Sequence, residues 1–100
     1  MTRRRRQAHE GLCRDRLAQV EARLEELRTK AERSDGNRLE LERALDHARG
    51  LCNRVLARIE SARQASDDAW PFARAQADQA VAEMILAIAE VEQRLSRAAA

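Results

Sequence analysis

Residues 37–66 read NRLELERALDHARGLCNRVLARIESARQAS, and the spacing of their apolar and small side chains decides the fold. Leu41, Leu45, Ala48, Cys52, Val55, Ile59 and Ala62 recur at alternating steps of four and three. That alternation keeps one stripe of a helix facing a partner helix, as in a coiled coil. The segment therefore predicts a helix over 37–66 that needs neighbours on its apolar side.

Upstream, Cys13, Leu17, Val20, Leu24, Leu27 and Ala31 repeat the pattern and predict a helix over about 9–33. Most of the flanking positions are charged, so this stripe is narrow. Ser34-Asp35-Gly36-Asn37 separates the two helices. Gly36 suits a left-handed helix terminus, Asn37 a cap, and Glu40 a side chain reaching back to the capping amide. A connection this short favours antiparallel neighbours. In a hairpin turning at Gly36, facing residues have numbers that sum to 72. Cys13 with Ile59, Leu17 with Val55, Val20 with Cys52, Leu24 with Ala48, Leu27 with Leu45 and Ala31 with Leu41 all obey this. The same register brings Glu21 near Arg49 and Arg28 near Glu42.

Downstream, Ser66-Asp67-Asp68-Ala69-Trp70-Pro71 interrupts the pattern. With Asp67 or Asp68 as the cap, Pro71 falls in the first helical turn, where its missing N–H costs nothing. A third helix over 69–97 then carries Trp70, Ala77, Val81, Met84, Ile88, Val91 and Leu95. Ile59 with Ala77, Val55 with Val81, Cys52 with Met84, Ala48 with Ile88, Leu45 with Val91 and Leu41 with Leu95 each sum to 136. The expected fold is all-α, an up-down-up antiparallel three-helix coiled-coil bundle over residues 8–100, preceded by a disordered basic terminus over 1–7. The alternative is fusion of helices two and three into one long helix kinked at Pro71, against which stands the roughly 3 kcal/mol cost of an interior proline.

Composition agrees with this class. The 100 residues are 44% hydrophobic and 36% charged, with one Pro, three Gly and only 2% aromatic residues, as in long helices and coiled coils. A small core this poor in rings gains little per residue, so self-association into a homodimer or larger assembly is expected. Leu12, Leu39 and Leu86, which fall off the seams, point the same way. No apolar run is long enough to cross a membrane. The arginine run continues into Gln7-Ala8-His9-Glu10 rather than into an apolar stretch, so no secretory leader is expected, and the two cysteines read as reduced thiols in the cytoplasm.

Few residues suggest chemistry. Arg3, Arg4, Arg5 and Arg6 can contact phosphates, which makes weak, salt-sensitive nucleic-acid binding the alternative function. No aromatic platform accompanies them. Cys52 and Met84 share a layer and offer soft donors, yet both residue types also fill cores well. His9 and Cys13 lie four apart on one helix face and can grip a metal ion, but the acids look too dispersed to add a third ligand. No intrachain disulfide is expected, since the register sets Cys13 and Cys52 about 10 Å apart along the axis. His47 reads as a solvated histidine. Ser34, Ser61, Ser66 and Ser96 have no histidine within plausible reach, and no glycine-rich phosphate loop is present. The expectation is a non-catalytic interaction protein with no cofactor and no metal.

Ala65-Ser66 and Ala69-Trp70, around a short acidic link, give the chain a resemblance. It resembles the small bacterial coiled-coil proteins often labelled stress-response coiled-coil proteins, over residues 14 to 98. Arg74 stands where that family has Lys, Ala73 where it has Leu, Pro71 replaces an acidic residue, and Val81 occupies the place of a second aromatic. The resemblance implies a soluble helical protein linked to stress, without catalytic residues to carry over.

Overall fold

Each helix buries the stripe that its spacing sets aside. The computed structural model describes residues 3–34 and 38–99. Within them α1 spans Arg3–Glu32, α2 spans Arg38–Gln64 and α3 spans Trp70–Ala99. Every residue assigned above to the first two seams is buried, and so are Trp70, Ala77, Val81, Met84, Ile88 and Val91 of the third. Leu95 packs against the core at its edge. Val55, Met84 and Val91 lose all contact with solvent. Among the described residues no polar or charged side chain is fully buried, so burial of apolar surface is the main force holding the helices together.

The bundle is all-α, and its three helices pack on one another in pairs. It is a rod of 51 × 17 × 16 Å. A fused second and third helix would run about 90 Å, from sixty residues at about 1.5 Å each, so the chain folds back at 65–69 instead. Ion pairs across the helices follow the expected registers. Arg14 meets Glu60 at 3.9 Å, Arg54 meets Glu83 at 3.3 Å and Arg94 meets Glu40 at 3.4 Å. Arg28 and Glu42 line one groove, as the register places them, but each takes its ion pair within its own helix. Arg28 pairs with Glu25 in its own helix and Glu42 with Arg38, because neighbours one turn away are reached with less loss of side-chain freedom. Helices two and three share the broadest contact, where Leu51, Ala80 and Ala87 join the seams in the core.

The turns settle two local questions. The first turn, with the expected roles of Gly36 and Asn37, lies outside the described residues; before it, Arg33 and Ser34 donate to Lys30 and Ala31 at three-residue spacing, tightening the end of α1. At the second turn the cap is Ser66 rather than Asp67 or Asp68. The Ser66 hydroxyl accepts from the Ala69 amide at 3.3 Å, and its carbonyl accepts from the Trp70 amide at 2.9 Å. A short hydroxyl one residue earlier suits the donor three residues on.

The expected disorder of residues 1–7 is corrected where the structure describes them: Arg3–Gln7 are the first turns of α1. Arginine is a good helix former, and Arg6 has a docking point on α2. Among the described residues no helix is long and apolar enough to cross a membrane.

Candidate functional site

A cluster of part-buried polar side chains lies at the end of the bundle where α1 begins, α2 ends and α3 begins. Trp70 plugs this end and is 2% exposed. Arg6 and Arg74 place their guanidinium groups 5.8 and 5.4 Å from its ring centroid, in range for cation–π attraction. His9 meets the indole edge-on, with centroids 5.8 Å apart and planes at 81°. Below the terminal plug, the sequence places Arg74 where the heptad would carry an apolar residue between Trp70 and Ala77, which opens the seam to polar groups.

Arg6 reaches across to the end of α2. Its Nη2 donates to the carbonyls of Ala62 at 2.9 Å and Ala65 at 2.6 Å, and its Nη1 pairs with Asp67 at 3.2 Å. The last carbonyls of a helix lack partners within it and carry the negative end of its dipole, so a guanidinium is well suited there. Arg3, Arg4 and Arg5 are exposed on the same two turns. Arg3 lines, with Arg6, Arg14 and Arg63, an open groove of about 670 Å³ that also holds Glu10 and Asp67. Of the four arginines picked out from the sequence, Arg6 is thus turned to a structural task.

Beside Trp70, three dissimilar ligand atoms converge. His9 Nε2 lies 2.7 Å from Asp78 Oδ1 and 3.6 Å from Cys13 Sγ. Arg74 stands 3.8 Å from the other oxygen of Asp78. Cys13 is buried, the His9 side chain is 10% exposed and that of Asp78 53%, so the cluster opens to solvent on the aspartate side. Burial first, and then the Asp78 carboxylate, push the Cys13 thiol up, while Arg16 and Arg74 oppose them. A cysteine, a histidine and an aspartate invite comparison with a nucleophilic triad. The geometry differs: in such a triad the base uses one ring nitrogen for the nucleophile and the other for the acid. Here thiol and carboxylate contact the same nitrogen.

Asp78 is the member the sequence reading missed, although a signal was present. The two registers place Cys13 and Ala77 in one layer with Ile59, so the parallel helices α1 and α3 are offset by 64 in number. In a parallel coil the position before one core residue meets the position after another, five residues further along. That predicts partners 69 apart, which His9 with Asp78 and Arg23 with Glu92 both are. The Arg23 guanidinium is pushed up by its hydrogen bond to Glu92 first and to Glu26 second.

The other candidates stay apart from this cluster. Cys52 and Met84 are packed in the apolar core, and the Cys52 thiol is pushed up by burial. His47 is exposed, in a groove with Glu40, Arg43 and Glu90. Comparison with protein-family models, curated proteins and solved structures finds no match to this chain.

Proposed function

We propose that this chain is a non-catalytic interaction protein that works as a homodimer, pairing through the outer face of α3. The observation that carries this reading is the placement of the two most exposed large apolar side chains among the described residues. Phe72 and Leu86 stand 69% and 71% exposed, two heptads apart on the side of α3 away from the core. Between and beyond them the same face carries Ala75, Gln79, Ala82 and Ala89, all exposed and uncharged.

Sequence and charge favour a second copy as the occupant. In an antiparallel pair centred between positions 80 and 81, Phe72 faces Ala89 of the other copy, Leu86 faces Ala75 and Gln79 faces Ala82. Each large side chain meets a small one, which is how close-packed layers interdigitate. The acids beside the face are already matched within the chain. Asp78 lies with His9 and Arg74, Glu83 with Arg54, Glu90 with Arg94 and Glu92 with Arg23. A parallel pair would bring Asp78 against Glu83 of the partner, so the antiparallel one is preferred. The face is about 26 Å long, from seventeen residues at about 1.5 Å each, at the small end of interfaces, so the dimer is concentration-dependent.

A cytoplasmic setting draws on the two free cysteines, and a tie to stress on the resemblance around Trp70. The nucleic-acid reading draws less support, because Arg6 is engaged by α2. Light scattering over a concentration series is the test: a mass rising above 11.4 kDa, and a monomer for Leu86→Glu, are expected. A wild-type monomer at every concentration overturns the dimer.

A further inference from the structure

The cluster of His9, Cys13 and Asp78 holds more donors than hydrogen can serve. If His9 carries its proton on Nε2, that proton bonds to Asp78 and leaves the nitrogen no lone pair for the thiol. If the proton sits on Nδ1, the Cys13 thiol can donate to Nε2, but the carboxylate then faces a bare lone pair. One hydrogen at Nε2 serves one of the two contacts and not the other. A cation at the point of convergence satisfies all three.

We propose that His9 Nε2, Cys13 Sγ and Asp78 Oδ1 form a three-ligand site for a borderline-soft divalent cation of the zinc type, with a water in the fourth position. The donor set of one imidazole, one thiolate and one carboxylate is of the kind zinc accepts. Its three ligand atoms lie within 4.8 Å of one another. Tetrahedral zinc, with bonds of about 2.0–2.3 Å, separates a nitrogen from a sulfur by about 3.6 Å and a nitrogen from an oxygen by about 3.3 Å. The first separation is already present at 3.6 Å. The second requires the His9–Asp78 contact of 2.7 Å to open by roughly 0.6 Å, and the sulfur and oxygen, within 4.8 Å of each other, to settle at about 3.6 Å; both are reached by a swing of the half-exposed Asp78 side chain.

The surroundings orient the ligands. Arg74 faces the second oxygen of Asp78 and directs the first at His9. The near-perpendicular contact with Trp70 holds the imidazole plane. Partners of this kind commonly set ligand geometry around a metal. One thiolate and one carboxylate balance the charge of a divalent ion, and on binding the thiol proton leaves to water. Solvent reaches the site from the Asp78 side, which gives the ion a way in and the water its place. The ion would clamp the first turns of α1 onto α3.

The test is titration of the full, reduced chain with cobalt(II) alone as a spectroscopic stand-in for zinc. One equivalent should produce a thiolate-to-cobalt charge-transfer band together with the visible bands of tetrahedral cobalt, and zinc should displace it. Cys13→Ser should abolish the charge-transfer band, and Asp78→Asn and His9→Gln should each weaken binding at least about tenfold. Cys52→Ser should leave the spectrum unchanged. Far-ultraviolet circular dichroism establishes that each variant is folded; Asp78→Asn, at an exposed position, is the variant least exposed to misfolding. Absence of the band in the wild type, its persistence in Cys13→Ser, its loss in Cys52→Ser, or unchanged affinity in folded Asp78→Asn overturns the proposal.

Discussion

Arg6→Ala is the perturbation that most clearly separates a docked arginine run from a loose one. The guanidinium donates to the carbonyls of Ala62 and Ala65 at 2.9 and 2.6 Å, more loosely to Arg63 at 3.4 Å, and pairs with Asp67. Its side chain is 19% exposed while that of Asp67 is 76% exposed, so the ion pair adds little and the carbonyl contacts dominate. A cation at a helix C-terminus contributes about 0.3–1 kcal/mol at the surface and up to about 2 when partly buried. Water can replace part of what is lost, because two of the acceptors lie near the surface. The expected destabilisation is therefore about 1–2 kcal/mol. Arg6→Lys should recover part of it, since an ammonium keeps the charge but cannot reach three carbonyls as a planar fork does. Arg4→Ala, at an exposed position on the same turns, should fall within about 0.5 kcal/mol of wild type. Urea unfolding followed by circular dichroism measures all three. Equal midpoints for Arg6→Ala and Arg4→Ala would refute the docking of α1 onto the end of α2.

Three further outcomes are expected. Met84→Ala should cost about 2–5 kcal/mol, since Met84 is wholly buried; a loss below 1 kcal/mol in urea unfolding would put the middle layer in question. Cys52→Asp should lose several kcal/mol by burying an unpaired carboxylate close to Glu21, whereas His47→Asp on the exposed face should move stability by less than about 0.5 kcal/mol. The raised Cys52 thiol also makes stability pH-dependent: the folded chain keeps a proton that the unfolded chain releases, so stability holds below the ordinary thiol range and falls as pH rises through it. Urea midpoints between neutral and alkaline pH should drop more steeply in wild type than in Cys52→Ala, and parallel curves would contradict this.

Most of the fold could be read from spacing alone because a coiled-coil seam is a local, repeating signal. Leu17, Val55 and Val81 announce their burial by the residues three and four positions away. The start of α1 could not be read this way. Its order depends on Arg6 meeting the open carbonyls of a helix end 56 to 59 residues later in the chain, and four successive arginines carry no trace of that contact. Asp78 was legible only by composing two registers, and it looked like one more acid on a solvated helix. Phe72 owes its place to a neighbour. Trp70 takes the inward position two residues earlier, which leaves Phe72 outward and 69% exposed, on the face the proposed pairing would cover.

Pairing through α3 is tested most directly by a distance across the dimer. In a Cys13→Ala/Cys52→Ala background, a spin label at Gln93→Cys lies on the outer face of α3 beyond the paired residues. The antiparallel register sets position 93 opposite position 68 of the other copy, so the two labels should be about 40 Å apart, from twenty-five residues at about 1.5 Å each. Pulsed dipolar spectroscopy should show that distance, and it should fade as labelled chains are diluted with unlabelled ones. A separation of roughly 10–20 Å, set by neighbouring parallel helix axes, or no dipolar interaction at concentrations where the mass exceeds a monomer, would contradict antiparallel pairing through this face.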